Sequence, residues 1–345
     1  MRKLFALGVV AVVAAVAPAA SPIKSVSALA FGPEGTLFIG DPTSATILAV
    51  LTGDTTPGGK GDVNIEKLDE KLGSLLGTTG ANVTVTDVKV NPASGNIYLA
   101  ITRGKGKDAM PVIVKLDRTG KMTEVDLEAL KSTKVSIPNA NDKTRMEAIT
   151  SLAYVDGKVI VAGLSNEEFA STLRTIPYPF KDADKGTSVE IFHGAHGKIE
   201  TNAPIRTFVP YKISGADYLL AAYTCTPLVK VPVADLKAGT KVKGTTIAEL
   251  GNQNRPLDMI VYTKGGTDYV LMANSARGVM KIPTEGMDKA EPITARPKGE
   301  KAGSPYETIA ELKGVMQLDK LDADRALILV KADDKTLSLK SIPLP

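Results

Sequence analysis

Both histidines of the chain lie in one hexapeptide, Phe192-His193-Gly194-Ala195-His196-Gly197. Two imidazoles at this spacing reach one metal ion when a Gly-rich turn folds them together, and Gly194 and Gly197 supply the permissive backbone. The single cysteine, Cys225, follows in Tyr223-Thr224-Cys225-Thr226-Pro227. Imidazole suits zinc, copper and iron, and thiolate adds a preference for copper, so a divalent metal or copper is the cofactor this set implies. Glu167, ahead of the hexapeptide, and Glu200, just after it, are the candidate catalytic acid–base groups. The bland alternative is equally physical. Two histidines are an incomplete ligand set, and a free cysteine often packs as a small buried residue. What separates the two readings is whether His193, His196 and Cys225 converge.

The elements that would bring them together read as β-sheet. The 345 residues are 43% apolar and 23% charged, which fits a packed globular chain and not a disordered one. One Cys excludes an internal disulfide framework and any Cys-based zinc or iron–sulfur cluster. The net charge of +4 gives no footprint for nucleic acid. There is no G-x-S-x-G elbow and no P-loop, and Arg103-Gly104-Lys105-Gly106-Lys107 follows a strand without opening a helix.

The start of the chain has the export pattern. Met1-Arg2-Lys3 is basic, Leu4 to Ala17 is uncharged and apolar, and Ala17-Pro18-Ala19 has the small-residue spacing of a cleavage site. Residues 1–20 are therefore expected to be a signal peptide, and 21–345 a single secreted or periplasmic domain. The apolar run is shorter than the roughly 20 residues needed to span a bilayer. After cleavage no membrane-spanning segment is expected.

From Val26 onward a strand–turn–strand–loop–strand unit recurs. It is read at Val26–Val50, Val85–Leu116, Ile149–Ile176, Ile205–Val233, Leu257–Ile282 and Val315–Ile342. A small sheet cannot bury both of its faces alone. Stacking such sheets around an axis covers each face with the next. The expected fold class is therefore all-β, a β-propeller of six blades. Seven is the alternative, because Phe180 to Ala203 has room for further strands. Thr55 to Gly80 and Lys131 to Arg145 read as surface connectors, with a short helix at Glu66 to Leu76. The Pro- and Lys-rich stretch Lys289 to Lys301 reads as a solvated connector between the last two blades.

Gly32-Pro33-Glu34-Gly35-Thr36-Leu37-Phe38-Ile39-Gly40-Asp41 resembles the strand–turn–strand unit of NHL-repeat and SMP-30 (gluconolactonase)-like propellers. Asn274-Ser275-Ala276-Arg277-Gly278-Val279-Met280-Lys281-Ile282 resembles the loop and strand that follow in such a unit. The chain has no Trp, and so departs from the Trp-containing start of the metal-binding lactonases of that group.

In a propeller the loops after the second strands share one rim. Asp41, Arg103, Asn166, Asn274 and Arg277 fall there and are the candidate ligand-binding residues. The leading reading is an exported binding or scaffold propeller that holds a small molecule or a protein partner at this rim. One alternative is a metal-dependent enzyme or redox protein built on His193, His196 and Cys225. The other is a lactonase-like hydrolase with Asp41, Asn166 and Asn274 around one rim metal.

Overall fold

The computed structural model describes residues 21–345 except Thr226, and the predicted signal peptide lies outside the described residues. Six small sheets, antiparallel except where Lys241–Lys243 adds in parallel to Thr187–His193, form a six-bladed β-propeller. Blade 1 holds Ala28–Phe31, Thr36–Asp41 and Thr46–Leu51, with Ser132–Ser136 on its outer edge. Blade 2 holds Val83–Val90, Ile97–Arg103, Met110–Leu116 and Met122–Glu124. The innermost strands of blades 3 to 6 are Ser151–Val155, Thr207–Ile213, Pro256–Lys264 and Val315–Lys320. The stretch Phe180 to Ala203 does carry strands, Thr187–His193 and Lys198–Glu200, but they complete blade 3 and make no seventh blade.

The ring order differs from the chain order. Blade 2 sits between blades 6 and 1, so the circle runs 2-1-3-4-5-6. Both expected connectors are responsible. Within Thr55–Gly80, Asn64–Ile65 adds the outer strand to the last blade by pairing with Leu339 and Lys340. The chain then forms the helix Leu68–Leu75, which drives Leu68 and Leu72 into the seam between blades 2 and 6. Within Lys131–Arg145, Ser132–Ser136 returns to pair with Thr46–Leu51. The first blade and the last are thus each closed by a strand from another part of the chain.

The hydrophobic core is six seams, one between each pair of neighbouring blades. In the seam of blades 1 and 3 the fully buried Phe38 ring stacks on Tyr154 at 5.7 Å and meets the edge of Tyr178 at 4.9 Å. Truncating such a ring to Ala costs about 3–5 kcal/mol.

Polar clamps tie the innermost strands around the axis, and one geometry occurs three times. Asp87, Asp258 and Asp319 each accept the N–H of the next residue on Oδ1, at 2.8 Å in every case. Each then accepts a neighbouring blade's N–H on Oδ2: Leu29 at 2.7 Å, Leu318 at 3.0 Å and Val90 at 2.6 Å. Lys89 lies among them, 3.2 Å from Asp87 and 3.4 Å from Asp258. Burial works to lower the Lys89 ammonium, but the three carboxylates outweigh it and raise it. Burial raises the carboxyls of Asp258 and Asp319 against the pull of Lys89. Among the described residues no helix is long and apolar enough to cross a membrane.

Candidate metal centre

His193 ends the strand Thr187–His193, and a tight turn leads to the strand Lys198–Glu200. The His196 and Gly197 N–H groups both donate to the His193 carbonyl, at 3.2 and 2.8 Å. The turn needs both glycines. A Cβ at Gly194 would lie 2.9 Å from Glu249, and Gly197 has φ +66° with the Arg296 stem packed over it. The two imidazoles therefore lie side by side, ring centroids 3.9 Å apart.

Glu200 pairs with Ile191 across this hairpin, and its carboxylate bridges both rings. His193 Nδ1–H donates to Oε2 at 2.7 Å, and His196 Nδ1–H donates to Oε1 at 2.5 Å. An ionised carboxylate only accepts, so each proton sits on Nδ1 and each Nε2 is left as a lone-pair donor. Burial pushes the His193 imidazole down from its ordinary value, against Glu200. Burial works to raise Glu200, but the hydrogen bonds from His196 and His193 outweigh it and hold the carboxyl low. This carboxylate–imidazole arrangement fixes tautomer and ring orientation, as it does behind metal-ligating histidines.

Cys225 arrives from blade 4, in the loop between Ala216–Ala222 and Pro227–Pro232. Its backbone is held at φ +65°, a costly conformation for a residue with a side chain. Its N–H donates to the Asn254 carbonyl at 2.7 Å. Asn254 is in turn held by Asn274, whose Oδ1 accepts from Asn254 Nδ2 at 3.1 Å. The free thiol is thereby turned toward the hairpin of blade 3. One nitrogen of each histidine and the Cys225 Sγ all lie within 4.8 Å of one another. A tetrahedral ion with bonds of about 2.0–2.3 Å sets its ligands about 3.5 Å apart, so a side-chain rotation closes the set.

The surroundings contain unmet hydrogen-bonding capacity. His193 is 2% exposed and its buried Nε2 has no partner. Glu249 Oε2 is likewise buried and unpartnered. Ser171 Oγ and Tyr223 OH are buried with only each other in reach, and make no well-formed hydrogen bond among the described residues. Ser171 bonds to the residue after Glu200, Tyr223 lies two residues before Cys225, and Glu249 Oε1 accepts the Gly194 N–H at 2.6 Å. Burial pushes the Glu249 carboxyl up to about 7. Orphaned buried groups are rare in folded proteins and call for an explanation, a bound ion being one.

The axis opens beside this centre. A cavity of about 310 Å³ is lined by Ser27, Thr86, Thr150, Arg206, Leu257 and Gln317, one from each blade. Arg206 pairs with Glu147 at 2.6 Å and donates to Thr224 Oγ1 at 3.1 Å, linking the mouth to the Cys225 loop.

The five predicted rim residues do not gather at that mouth. Asp41 is fully buried and accepts the Lys24, Ser25 and Ser44 N–H groups, clasping the incoming chain to its own loop. Arg103 donates to the Leu76 carbonyl and lines a separate cavity with Ser21 and Met110. Asn166 donates to the Ala140 carbonyl and to Asp142, tying its loop to the segment that precedes blade 3. Asn274 and Arg277 act at one remove, Asn274 through Asn254 and Arg277 through Glu300 at 2.9 Å. The set expected for a lactonase-like site, Asp41, Asn166 and Asn274, is committed to blades 1, 3 and 5 separately. Glu167 accepts from Asn139 at 2.6 Å in the loops of blade 3, so of the two acid–base candidates only Glu200 is at the histidines.

Glu249, Asn254, Arg206 and Arg255 were not among the expected site residues. A signal existed for Glu249, a lone charge in the otherwise uncharged strand Thr245–Leu250.

No family model and no curated protein matches the chain. Among solved structures it is similar to a proposed oxidoreductase (glucose dehydrogenase) of Thermus thermophilus, at 12% identity and a TM-score of 0.38 over 93% of this chain and 97% of that one. It is also similar to the PQQ-bound aldose sugar dehydrogenase of Streptomyces coelicolor, at 12% identity and a TM-score of 0.37, over 93% and 94%. A GH43 glycoside hydrolase of Bacteroides ovatus matches at 14% identity and a TM-score of 0.37, over 76% and 53%. The six blades themselves rest on the strand pairing described above.

Proposed function

We propose that this chain is a metal-dependent enzyme or redox protein whose single ion is held by His193, His196 and Cys225. The observation that supports this reading most is the convergence of three ligand residues on one point, with the buried His193 Nε2 left without a partner. Three protein ligands leave a four-coordinate ion one open position, the pattern of catalytic rather than structural sites. Bound there, zinc supplies Lewis acidity and copper a one-electron couple.

The chain's own residues do the rest. Glu200 holds both protons on Nδ1 and so leaves both Nε2 lone pairs free for an ion. Burial keeps His193 neutral, which ligation requires. Asn254 and Arg206 fix the Cys225 loop from the axial side. This favours the metal-centre reading over a binding scaffold with no centre. Export to the periplasm or medium rests on the sequence of residues 1–20 alone. Kinship with NHL-repeat and SMP-30-like propellers rests on the Gly32–Asp41 and Asn274–Ile282 units alone.

Cobalt(II) loading tests the ligand set. The wild-type chain is expected to show a sulfur-to-metal charge-transfer band that Cys225→Ser abolishes. A cobalt complex without that band, or one unchanged in Cys225→Ser, would contradict thiolate ligation.

A further inference from the structure

The segment after the third strand of blade 5, Gly278–Pro283, does not run straight to the fourth, Glu307–Ile309. It crosses back to blade 4. Ile293 donates to the Thr246 carbonyl at 2.9 Å, and Lys301–Gly303 pairs with Ala248, Glu249 and Leu250 as an extra outer strand. The Lys- and Pro-rich stretch is therefore not a connector between the last two blades, as its composition suggests. It is an excursion inside blade 5, anchored at both ends on the strand that carries Glu249.

The excursion brings its basic residues to the histidine hairpin. Arg296 packs its stem over Gly197, so that a Cβ added there would meet it at 3.3 Å. Beside them is a pocket of about 380 Å³ lined by Ala195, Glu249, Asn252, Arg296, Lys298 and Glu300. Ala195 sits between Gly194 and His196, so the pocket reaches the histidine hairpin through this one residue, and none of His193, His196 and Cys225 lines it. Its volume is at the small end of the range for small-molecule sites.

Two carboxylates, Glu249 and Glu300, line this pocket with two cations, Arg296 and Lys298, and among the described residues neither carboxylate pairs with either cation. Glu300 is already committed to Arg277 at 2.9 Å. Glu249 spends Oε1 on the Gly194 N–H and has no hydrogen-bond partner for Oε2. Arg296 and Lys298 line the pocket, are exposed, and make no ion pair and no side-chain hydrogen bond among the described residues. A guanidinium and an ammonium in one pocket are a usual recognition pair for an oxyanion.

We infer that this pocket is the substrate pocket of the centre, and that it takes a small oxyanionic molecule, a carboxylate or a phosphate, gripped by Arg296 and Lys298. The inference rests on the metal-centre reading for its role but not for its binding chemistry. The test is calorimetric titration of the full chain, metal-free and zinc-loaded, with glutarate, inorganic phosphate and neutral 1,5-pentanediol. Binding of glutarate or phosphate, but not the diol, is expected. The double variant Arg296→Gln/Lys298→Gln should weaken it about tenfold or more while leaving zinc stoichiometry at the wild-type value. Stronger binding of glutarate identifies a carboxylate substrate and stronger binding of phosphate a phosphorylated one.

No binding of either oxyanion, or binding that the double variant leaves unchanged, would overturn the inference. Both residues are exposed, so the variant keeps its fold, and unchanged circular dichroism checks this. If zinc fails to bind at all, the metal-centre reading falls. The metal-free titration still decides the pocket.

Discussion

Two buried polar clusters sit in this propeller, and they are finished differently. On the axis, Asp87, Asp258 and Asp319 spend their oxygens on N–H groups of their own and adjacent blades, and Lys89 supplies the opposing charge. None of these four residues has an orphaned buried atom. At the hairpin, His193, Ser171, Tyr223 and Glu249 each have one. Burial is similar in the two places. What differs is satisfaction. A buried polar network that closes on itself stabilises a fold, whereas one that stops short points to a missing partner. The proposed metal centre rests on this contrast: the axial cluster closes on itself, and the hairpin does not.

Perturbing the axis should have the largest effect. Lys89→Met leaves three buried carboxylates without their cation, and should cost about 3–5 kcal/mol in urea unfolding. The folded fraction should bind metal as the wild type does. If metal binding fell in proportion, the two clusters would not be separable.

Removing the ion should come next. A ligand that binds only the folded chain at 100 times its Kd adds about 2.7 kcal/mol. Chelation of a zinc-loaded sample should therefore lower the urea midpoint, and the same treatment of Cys225→Ser should not. Equal midpoints with and without chelator in the wild type would count against the centre.

Glu200→Gln probes the carboxylate behind both rings. It keeps the shape but loses the charge that fixes the Nδ1 protons. Zinc affinity in a competition assay should fall about 10–100-fold. An unchanged affinity would mean that the rings are oriented by the turn alone.

The smallest effect expected is on pH dependence at the axis. The Asp258 carboxyl is raised by burial above its ordinary 3.8, so the folded chain keeps a proton that the unfolded chain has released. That contribution is full below the ordinary value and is lost as pH rises through the raised one. Stability should decline across that interval, and Asp258→Asn should flatten the decline in urea midpoints. A decline of the same slope in the variant would assign the proton elsewhere.

The blades were legible because each repeats an apolar strand, a Pro/Gly turn and a second apolar strand, signals that are local in sequence. Their order around the ring was not. It is set by Asn64–Ile65, only two residues long, and by Ser132–Ser136, where four of five residues are exposed. Neither carries an apolar pattern, and both pair across long sequence distances. The ligand trio was legible by scarcity, since two His and one Cys allow few combinations. Its supports were not, because Asn254, Arg206 and Arg296 reach the site from loops distant in sequence and look like ordinary polar loop residues. Asp41 shows the converse. It reads as an exposed rim carboxylate, yet three backbone N–H groups have drawn it fully inside.

The most direct measurement is the metal content of the chain purified from its native source without added metal, beside the Cys225→Ser and His193→Ala variants prepared in the same way. One zinc or copper ion per wild-type chain, lost from both variants while their circular dichroism is retained, is the result this account predicts. A wild-type chain without stoichiometric metal, or variants that retain it, would contradict the account.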